Sequence, residues 1–202
     1  IERSMASILK IWTLPIFFIL LVIFLSHKGI SSRHVIEGHH VFTITRPSEA
    51  FYIWKENGIR GRALIYIDRG FSIEELFNRS VEMRFLMMER KIPALRDDNL
   101  LNHAMLNNMI RKVYYIVPDD LWEETEERLI KNRAVAFDGK RLRITLEGMP
   151  LIISRAKDLE IPSERLIVYI NGSSMEGYDR DFIKRLIEDS ALSDMVIIKR
   201  DA

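Results

Sequence analysis

The sequence predicts an α/β fold, in which a mostly parallel sheet with helices on both faces follows one N-terminal transmembrane helix. Apolar runs of strand length, such as ALIYI at 63–67 and LIVYI at 166–170, alternate along the chain with helical patterns. ALIYI is apolar without interruption, which is typical of a strand buried on both faces of a parallel sheet. Residues 11–25, IWTLPIFFILLVIFL, carry no charge.

Composition limits the possible function classes. The chain has 202 residues, of which 48% are hydrophobic and 29% charged, so one ordinary domain can bury a core. A formal net charge of +1 gives no electrostatic footprint for nucleic acid, and we expect no nucleic-acid partner. The absence of cysteine excludes disulfides and thiolate chemistry.

The N-terminal apolar run is expected to cross a membrane. Residues 8–25 reach about the 18-residue lower range for a spanning helix, and Lys10 can extend its amine to the interface. A cleaved signal peptide is the alternative, although no A-x-A-like site follows. We therefore expect residues 1–28 to be a membrane anchor or signal segment. The protein would be a single-pass membrane protein. The sequence does not fix the side of the membrane on which the soluble domain lies, and the extracytoplasmic side is favoured.

A polar linker at 29–40 and an α/β domain at 41–202 are expected after the anchor. The last apolar run ends close to Ala202, so the sequence leaves open whether further residues complete the sheet. Apolar or alternating runs predict the strands. The predicted strands are 41–45, 63–67, 112–117, two strands within 141–154, 166–170 and 195–199.

Start and stop signals predict the helices between these strands. Ser48 is the expected N-cap of SEAFYIWKEN, and Gly58 its stop. Ser72 and Glu75 match a capping box for the next helix. Acidic residues in the first turn of PDDLWEETEERL suit the helix dipole. Further helices are predicted at 99–109 and 179–190.

The helix after Ser72 is expected to continue with helical spacing to about residue 90. This spacing gives Phe85, Met88 and their neighbours a core face. An exposed interaction surface of Met83, Phe85, Met87 and Met88 is the alternative, but core packing is the expectation.

Polar residues that follow the predicted strands form the candidate site. The carboxyl ends of parallel strands meet at one edge of a sheet, where α/β proteins usually bind ligands. The candidate ligand-binding residues are Asp68, Asp119, Asn171, Ser173 and Ser174. Asp119 or its neighbour Asp120 can instead cap a helix, and Asn171-Gly172 is an ordinary turn pair.

Motifs that carry catalysis or metal binding are not found in the sequence. His39 and His40 are adjacent, so their side chains point in opposite directions on an extended chain. No second cluster has metal-ligand spacing, and neither a G-x-S-x-G elbow nor a phosphate loop occurs. We therefore expect no catalytic residue, no metal and no cofactor.

Several blocks resemble an uncharacterised bacterial family with an arginase-like fold. The blocks are SEAFYIWKENGIRGRALIYIDRGFSI, LNNMIRKVYYIVPDDLWEE, and LEGMPLIIS followed by DLEIPSERLIVYINGSS, which together span roughly residues 41–178. The resemblance implies a three-layer arginase-like fold. It also implies metal ligands at two strand ends, in the patterns H-x-D-x-H-x-D and D-x-D-x-D, where a metal-bound water would become hydroxide.

This chain departs from both ligand patterns. The corresponding residues are Tyr66, Asp68, Gly70 and Ser72 in the first pattern, and Tyr169, Asn171 and Ser173 in the second. One carboxylate with neutral amide and hydroxyl groups is a poor ligand set for a divalent cation. We therefore expect a membrane-anchored domain of arginase-like architecture that is non-catalytic and binds a protein or small-molecule ligand or acts as a scaffold.

Two alternatives remain open. One is a metal-dependent hydrolase of amide or amidine bonds that uses Asp68, Asn171 and Asp119, together with His39, His40 or His103. The other is phosphate binding by the 171–177 loop at a helix N-terminus. For the non-catalytic, arginase-like domain, the loops around Asp68 and Asn171 are expected to face each other across adjacent strands, without a bound ion.

Overall fold

The computed structural model describes residues 32–36, 39–69, 73–89, 91, 93–132, 135–146, 148–160, 164–172, 178–188 and 193–200. The helices in these residues are α1 (Pro47–Glu56), α2 (Ile73–Met88), α3 (Leu100–Leu106), α4 (Trp122–Asn132) and α5 (Arg180–Glu188). The strands are β1 (Ser32–Ile36), β2 (His39–Ile44), β3 (Arg62–Ile67), β4 (Ile110–Val117), β5 (Ala136–Phe137), β6 (Arg141–Leu146), β7 (Met149–Arg155), β8 (Leu166–Asn171) and β9 (Ser193–Lys199).

These strands form a single sheet in the order β1-β2-β9-β8-β3-β4-β7-β6-β5. The six strands from β2 to β7 in this order are parallel to one another, whereas β1, β6 and β5 add antiparallel edges. Strand β3 lies between β8 and β4 and is parallel to both. The prediction of a mostly parallel sheet with ALIYI at its centre is therefore confirmed.

Two apolar cores lie on opposite faces of the sheet, because successive strand side chains point in opposite directions. On β3, Leu64 and Tyr66 face one core, and Ala63 and Ile65 face the other. Helices α1 to α4 contribute buried side chains to the first core, and α5 contributes to the second. The predicted α/β class, with helices on both faces, is confirmed for the part of the chain described.

The start of α1 differs from the prediction that Ser48 is its N-cap. The helix begins at Pro47, and Arg46 occupies the N-cap position. Proline suits the first helical position because its fixed φ is already helical and its missing N–H needs no partner there. Glu49 accepts a hydrogen bond from the Thr45 N–H at 3.0 Å, so it supplies the capping acceptor.

The linker predicted at 29–40 is wrong in part. Strand β1 occupies Ser32–Ile36 and pairs antiparallel with β2, from Ser32 opposite Thr43 to Ile36 opposite His39. Edge strands need little apolar pattern, because one side of their backbone pairs and the other faces solvent. The two-residue edge strand β5 also lacked a sequence signal.

The predicted core face of α2 is wrong for two of its residues. Phe85 is 62% exposed and Met88 is 73% exposed, whereas Met83 is only 4% exposed. The buried face of α2 instead contains Ile73, Leu76 and Met83, which recur at helical spacing. Apolarity along this helix therefore exceeds what the core can cover.

The predicted anchor or signal segment lies outside the described residues. Within the described part of the chain, none of the helices combines the length and apolarity that crossing a bilayer requires.

Candidate functional site

Strands β3 and β8 bring Asp68 and Asn171 together at the carboxyl edge of the sheet. Ile67 pairs with Ile170 in parallel register, so the next residue of each strand lies beside the other. The side-chain amide of Asn171 donates a hydrogen bond to Oδ1 of Asp68 at 3.0 Å. The expected juxtaposition of these two residues is confirmed, although their role in binding stays a prediction.

A row of three tyrosines lies beneath Asp68. Tyr66 pairs in register with Tyr115 on one side and Tyr169 on the other. The rings of Tyr66 and Tyr169 are stacked, with centroids 4.8 Å apart. The Tyr66 hydroxyl donates to Oδ2 of Asp68 at 3.3 Å, and the Tyr115 hydroxyl donates to the Asp68 carbonyl at 3.0 Å.

The tyrosine row has a signal in the sequence, although the predicted site did not include it. Three strands each contain Tyr-Ile close to their carboxyl end, in YID at 66–68, YIV at 115–117 and YIN at 169–171. Matching positions near the ends of neighbouring parallel strands place side chains in one row. The repeated dipeptide could therefore have predicted the row.

Burial keeps these phenols protonated. It raises the pKa of Tyr66 well above its usual value, and the neighbouring Tyr169 and the Asp68 charge raise it further. Burial likewise raises the pKa of Tyr115 and of Tyr169, with the Asp68 charge as the next cause in both. The Tyr169 hydroxyl is fully buried and has no hydrogen-bond partner among the described residues.

A pocket of about 260 Å³ opens at Tyr66 and Asp68. Helix α2, the 3₁₀ turn Asp97–Asn99 and the start of α3 complete its wall. Its lining contains four carboxylates and, among the described residues, no basic side chain. The four are Asp68, Glu75, Asp97 and Asp98.

The carboxylates of this pocket have two kinds of partner. Arg79 lies 2.6 Å from Asp98 and 3.8 Å from Glu75, and Arg96 lies 3.2 Å from Asp98. Asp97 instead accepts a hydrogen bond from the Ser48 N–H at 2.9 Å, which also ties the turn to α1. Guanidinium groups and a neutral backbone N–H are therefore both among the partners of these carboxylates.

Of the predicted site residues that the structure describes, Asp68 lines this pocket, whereas Asn171 and Asp119 do not. Asp119 lies in the 3₁₀ turn after β4, where it is exposed and 3.4 Å from the Lys157 amine, and it is not part of the pocket lining. Its neighbour Asp120 pairs with Arg69. Ser173 and Ser174 lie outside the described residues.

Close backbone contact makes Gly172 necessary after Asn171. A Cβ atom at Gly172 would lie 2.6 Å from the backbone oxygen of Lys199 at the end of β9. The Lys199 amine also donates to Oδ1 of Asn171 at 3.3 Å. These contacts fix the amide of Asn171 so that its N–H₂ group faces Asp68.

The donor groups around Asp68 are poorly matched to a divalent cation. Among the contacts of Asp68, the Asn171 amide and the Tyr66 hydroxyl donate to its carboxylate, and the Tyr115 hydroxyl donates to its backbone carbonyl. Within the described residues, no three His, Cys, Asp or Glu side chains are grouped so that they could hold a metal ion. His39 and His40 are placed only by register, on β2.

His103 is a core residue on α3 and not a ligand at the strand edge. It is 8% exposed, and its ring meets the Phe51 ring edge-on at 5.9 Å. Burial lowers the pKa of His103 below its ordinary value of 6.5, and a hydrogen bond to the Ala94 backbone opposes part of this effect.

Acid is expected to destabilise the protein through His103. A histidine whose pKa is lowered by folding contributes stability that is present above its unfolded pKa. That stability is lost as pH falls below about 6.5. Urea unfolding between pH 8 and pH 5 should show a loss in wild type that is smaller in His103→Gln. Equal losses in the two proteins would contradict the assignment.

Comparisons with known protein families, with characterised proteins and with solved structures gave no match to this chain. The functional argument therefore rests on the sequence and on the geometry of the described residues.

Proposed function

We propose that the protein is a non-catalytic binding module whose strand-end pocket takes a small cationic ligand, either an amine or a guanidine. The observation that carries this proposal is the lining of the pocket, which contains four carboxylates and, among the described residues, no basic side chain. A volume of about 260 Å³ suits a group of few atoms.

The partners of Asp68 and Asp97 support a cationic ligand. Among their contacts are neutral donors, namely the Tyr66 hydroxyl and Asn171 amide for Asp68 and a backbone N–H for Asp97. Neutral donors of this kind orient a carboxylate. A cation that enters the pocket would form charge-assisted hydrogen bonds with the carboxylates of the lining.

The resemblance to arginase-like proteins is also retained as a proposal. It is supported by the parallel sheet and by the position of Asp68 and Asn171 at neighbouring strand ends. A binding role is favoured over the hydrolase, because no three His, Asp or Glu side chains of the described residues are grouped so that they could hold a metal ion. The phosphate alternative involves residues 173–177, which lie outside the described part of the chain.

Binding of butylguanidinium by the full chain tests the proposal, with butylurea as a neutral ligand of the same shape. We expect calorimetry to detect the cation only, and Asp68→Asn to weaken its binding at least about thirtyfold through loss of a charged hydrogen-bond partner. Asp119→Asn is the matched control and should bind as wild type does. Equal binding of both ligands, or wild-type affinity in Asp68→Asn, would refute the proposal.

Metal content separates this proposal from the hydrolase. The full chain would be exposed to manganese, zinc and iron and then passed through gel filtration. A near-stoichiometric ion that Asp68→Asn no longer retains would favour the hydrolase. Background metal together with butylguanidinium binding would favour the binding module.

We also propose that residues 8–25 attach the protein to a membrane. The support is the uncharged apolar run at 11–25. Alkaline extraction of membranes should leave the full chain in the pellet, and its release into the supernatant would contradict membrane insertion.

A further inference from the structure

A larger cavity opens at the amino-terminal ends of β4 and β7. Its volume is about 670 Å³, within the range of roughly 300–1,000 Å³ that small-molecule sites occupy. Helices α2 and α3 form its sides, and the first residues of the two strands, Ile110 and Met149, lie in its lining. Five methionines line it: Met83, Met87, Met88, Met105 and Met149.

The cavity has a buried apolar floor and an exposed apolar mouth. Met83, Ile110 and Met149 are each less than a tenth exposed, whereas Met87 is 51% exposed and Met88 73%. Unbranched methionine side chains adapt to irregular apolar shapes. Methionines at an open mouth would lose contact with water when an apolar ligand covers them, which favours binding of a flexible apolar chain.

The charges in the lining are all positive. Arg84 and Arg111 are the charged residues that line the cavity, and no carboxylate joins them among the described residues. Glu164 lies nearby, but it is shared by Arg111 at 2.7 Å and Lys112 at 2.8 Å. Within the described lining, the charged groups that a ligand in the cavity would meet are therefore guanidinium groups.

We propose that this cavity binds a single-chain anionic amphiphile of the long-chain carboxylate class. Its hydrocarbon chain would lie against the methionines, and its carboxylate would be held near Arg84 and Arg111. The site is separate in chemistry from the acidic pocket at Asp68 and does not depend on the function proposed for that pocket. It also gives a role to Met87 and Met88, two apolar residues of α2 that the core does not cover.

A photoreactive long-chain carboxylate with a diazirine in its chain tests this site. The full chain would be carried in phosphatidylcholine nanodiscs, so that no detergent competes, and the labelled positions would be mapped by mass spectrometry. Labelling is expected within 83–88 and 105–111. Labelling that is confined to other parts of the chain would overturn the proposal.

Two exposed positions of α2 provide a matched pair of variants. Met87 lines the cavity and Val81 does not. Both side chains are 51% exposed, so we expect glutamate at either position to leave the fold intact. Met87→Glu places a negative charge at the mouth and should reduce labelling by at least about tenfold. Val81→Glu should label as wild type does. Equal labelling of the two variants would overturn the proposal.

The head group is tested with the alcohol of the same chain length and the same diazirine. Wild type should label more strongly with the carboxylate, and the double variant Arg84→Gln/Arg111→Gln should lose this preference. Arg143→Gln, at an exposed arginine of β6 outside the cavity lining, should keep it. A wild type that labels equally with both probes would show a general apolar groove, such as one for a partner helix, and would overturn the carboxylate site.

Discussion

Replacing Trp54 by alanine is expected to lower the free energy of unfolding by about 3–5 kcal/mol. Trp54 is fully buried, and with Ala50, Phe51 and Ile53 it forms the face by which α1 packs into the larger core. The indole is the largest side chain of that face, so its loss leaves a cavity that the surrounding strands cannot close. Urea unfolding of the full chain measures the effect.

Two further variants of α1 separate packing from helix propensity. Tyr52 lies next to Phe51 but is 56% exposed, and Tyr52→Ala should cost less than about 1 kcal/mol. Trp54→Phe should cost less than Trp54→Ala, because it keeps an aromatic ring and removes an indole N–H that has no partner among the described residues. A cost for Tyr52→Ala equal to that for Trp54→Ala would contradict the packing argument.

The strands that could be predicted from the sequence are those buried on both faces. ALIYI and LIVYI are apolar throughout because other residues cover both faces of the central sheet. Their composition alone therefore predicts that they are buried strands. The edge strands β1 and β5 form backbone hydrogen bonds with a neighbouring strand on one side only. Strand β1, SRHVI, is partly polar, and β5 has only two residues. Their pairing depends on neighbours that a local pattern does not reveal.

The same distinction applies to the candidate site. The adjacency of Asp68 and Asn171 requires β3 and β8 to be neighbours in the sheet, which the resemblance implies and periodicity alone does not predict. The wall of the pocket could not be predicted from local sequence patterns. Asp97 reaches this wall through a turn whose position depends on a contact with the Ser48 backbone, 49 residues away. Asp119 follows a strand as Asp68 does, but a strand-end position alone does not direct a side chain into a pocket.

Removing the Asp68 carboxylate is expected to cost about 2–4 kcal/mol of stability in Asp68→Ala. Asp68 is 8% exposed and accepts hydrogen bonds from the Tyr66 hydroxyl and the Asn171 amide. Alanine leaves both donors without this acceptor beside the stacked Tyr169 ring. Relief of the buried charge opposes the loss, but charge-assisted bonds to two oriented donors outweigh it, so the net effect is destabilising. Urea unfolding at pH 7 without ligand measures it.

The comparison with Asp119→Ala shows whether position at a strand end or the hydrogen-bond network determines this cost. Asp119 is exposed and its contact with Lys157 is long, so its removal should change stability by less than about 1 kcal/mol. A stabilised Asp68→Ala would instead mean that the carboxylate is held against a desolvation cost. In that case the fold would retain Asp68 for its ligand alone, since a buried charge that weakens the fold is useful only where it binds something.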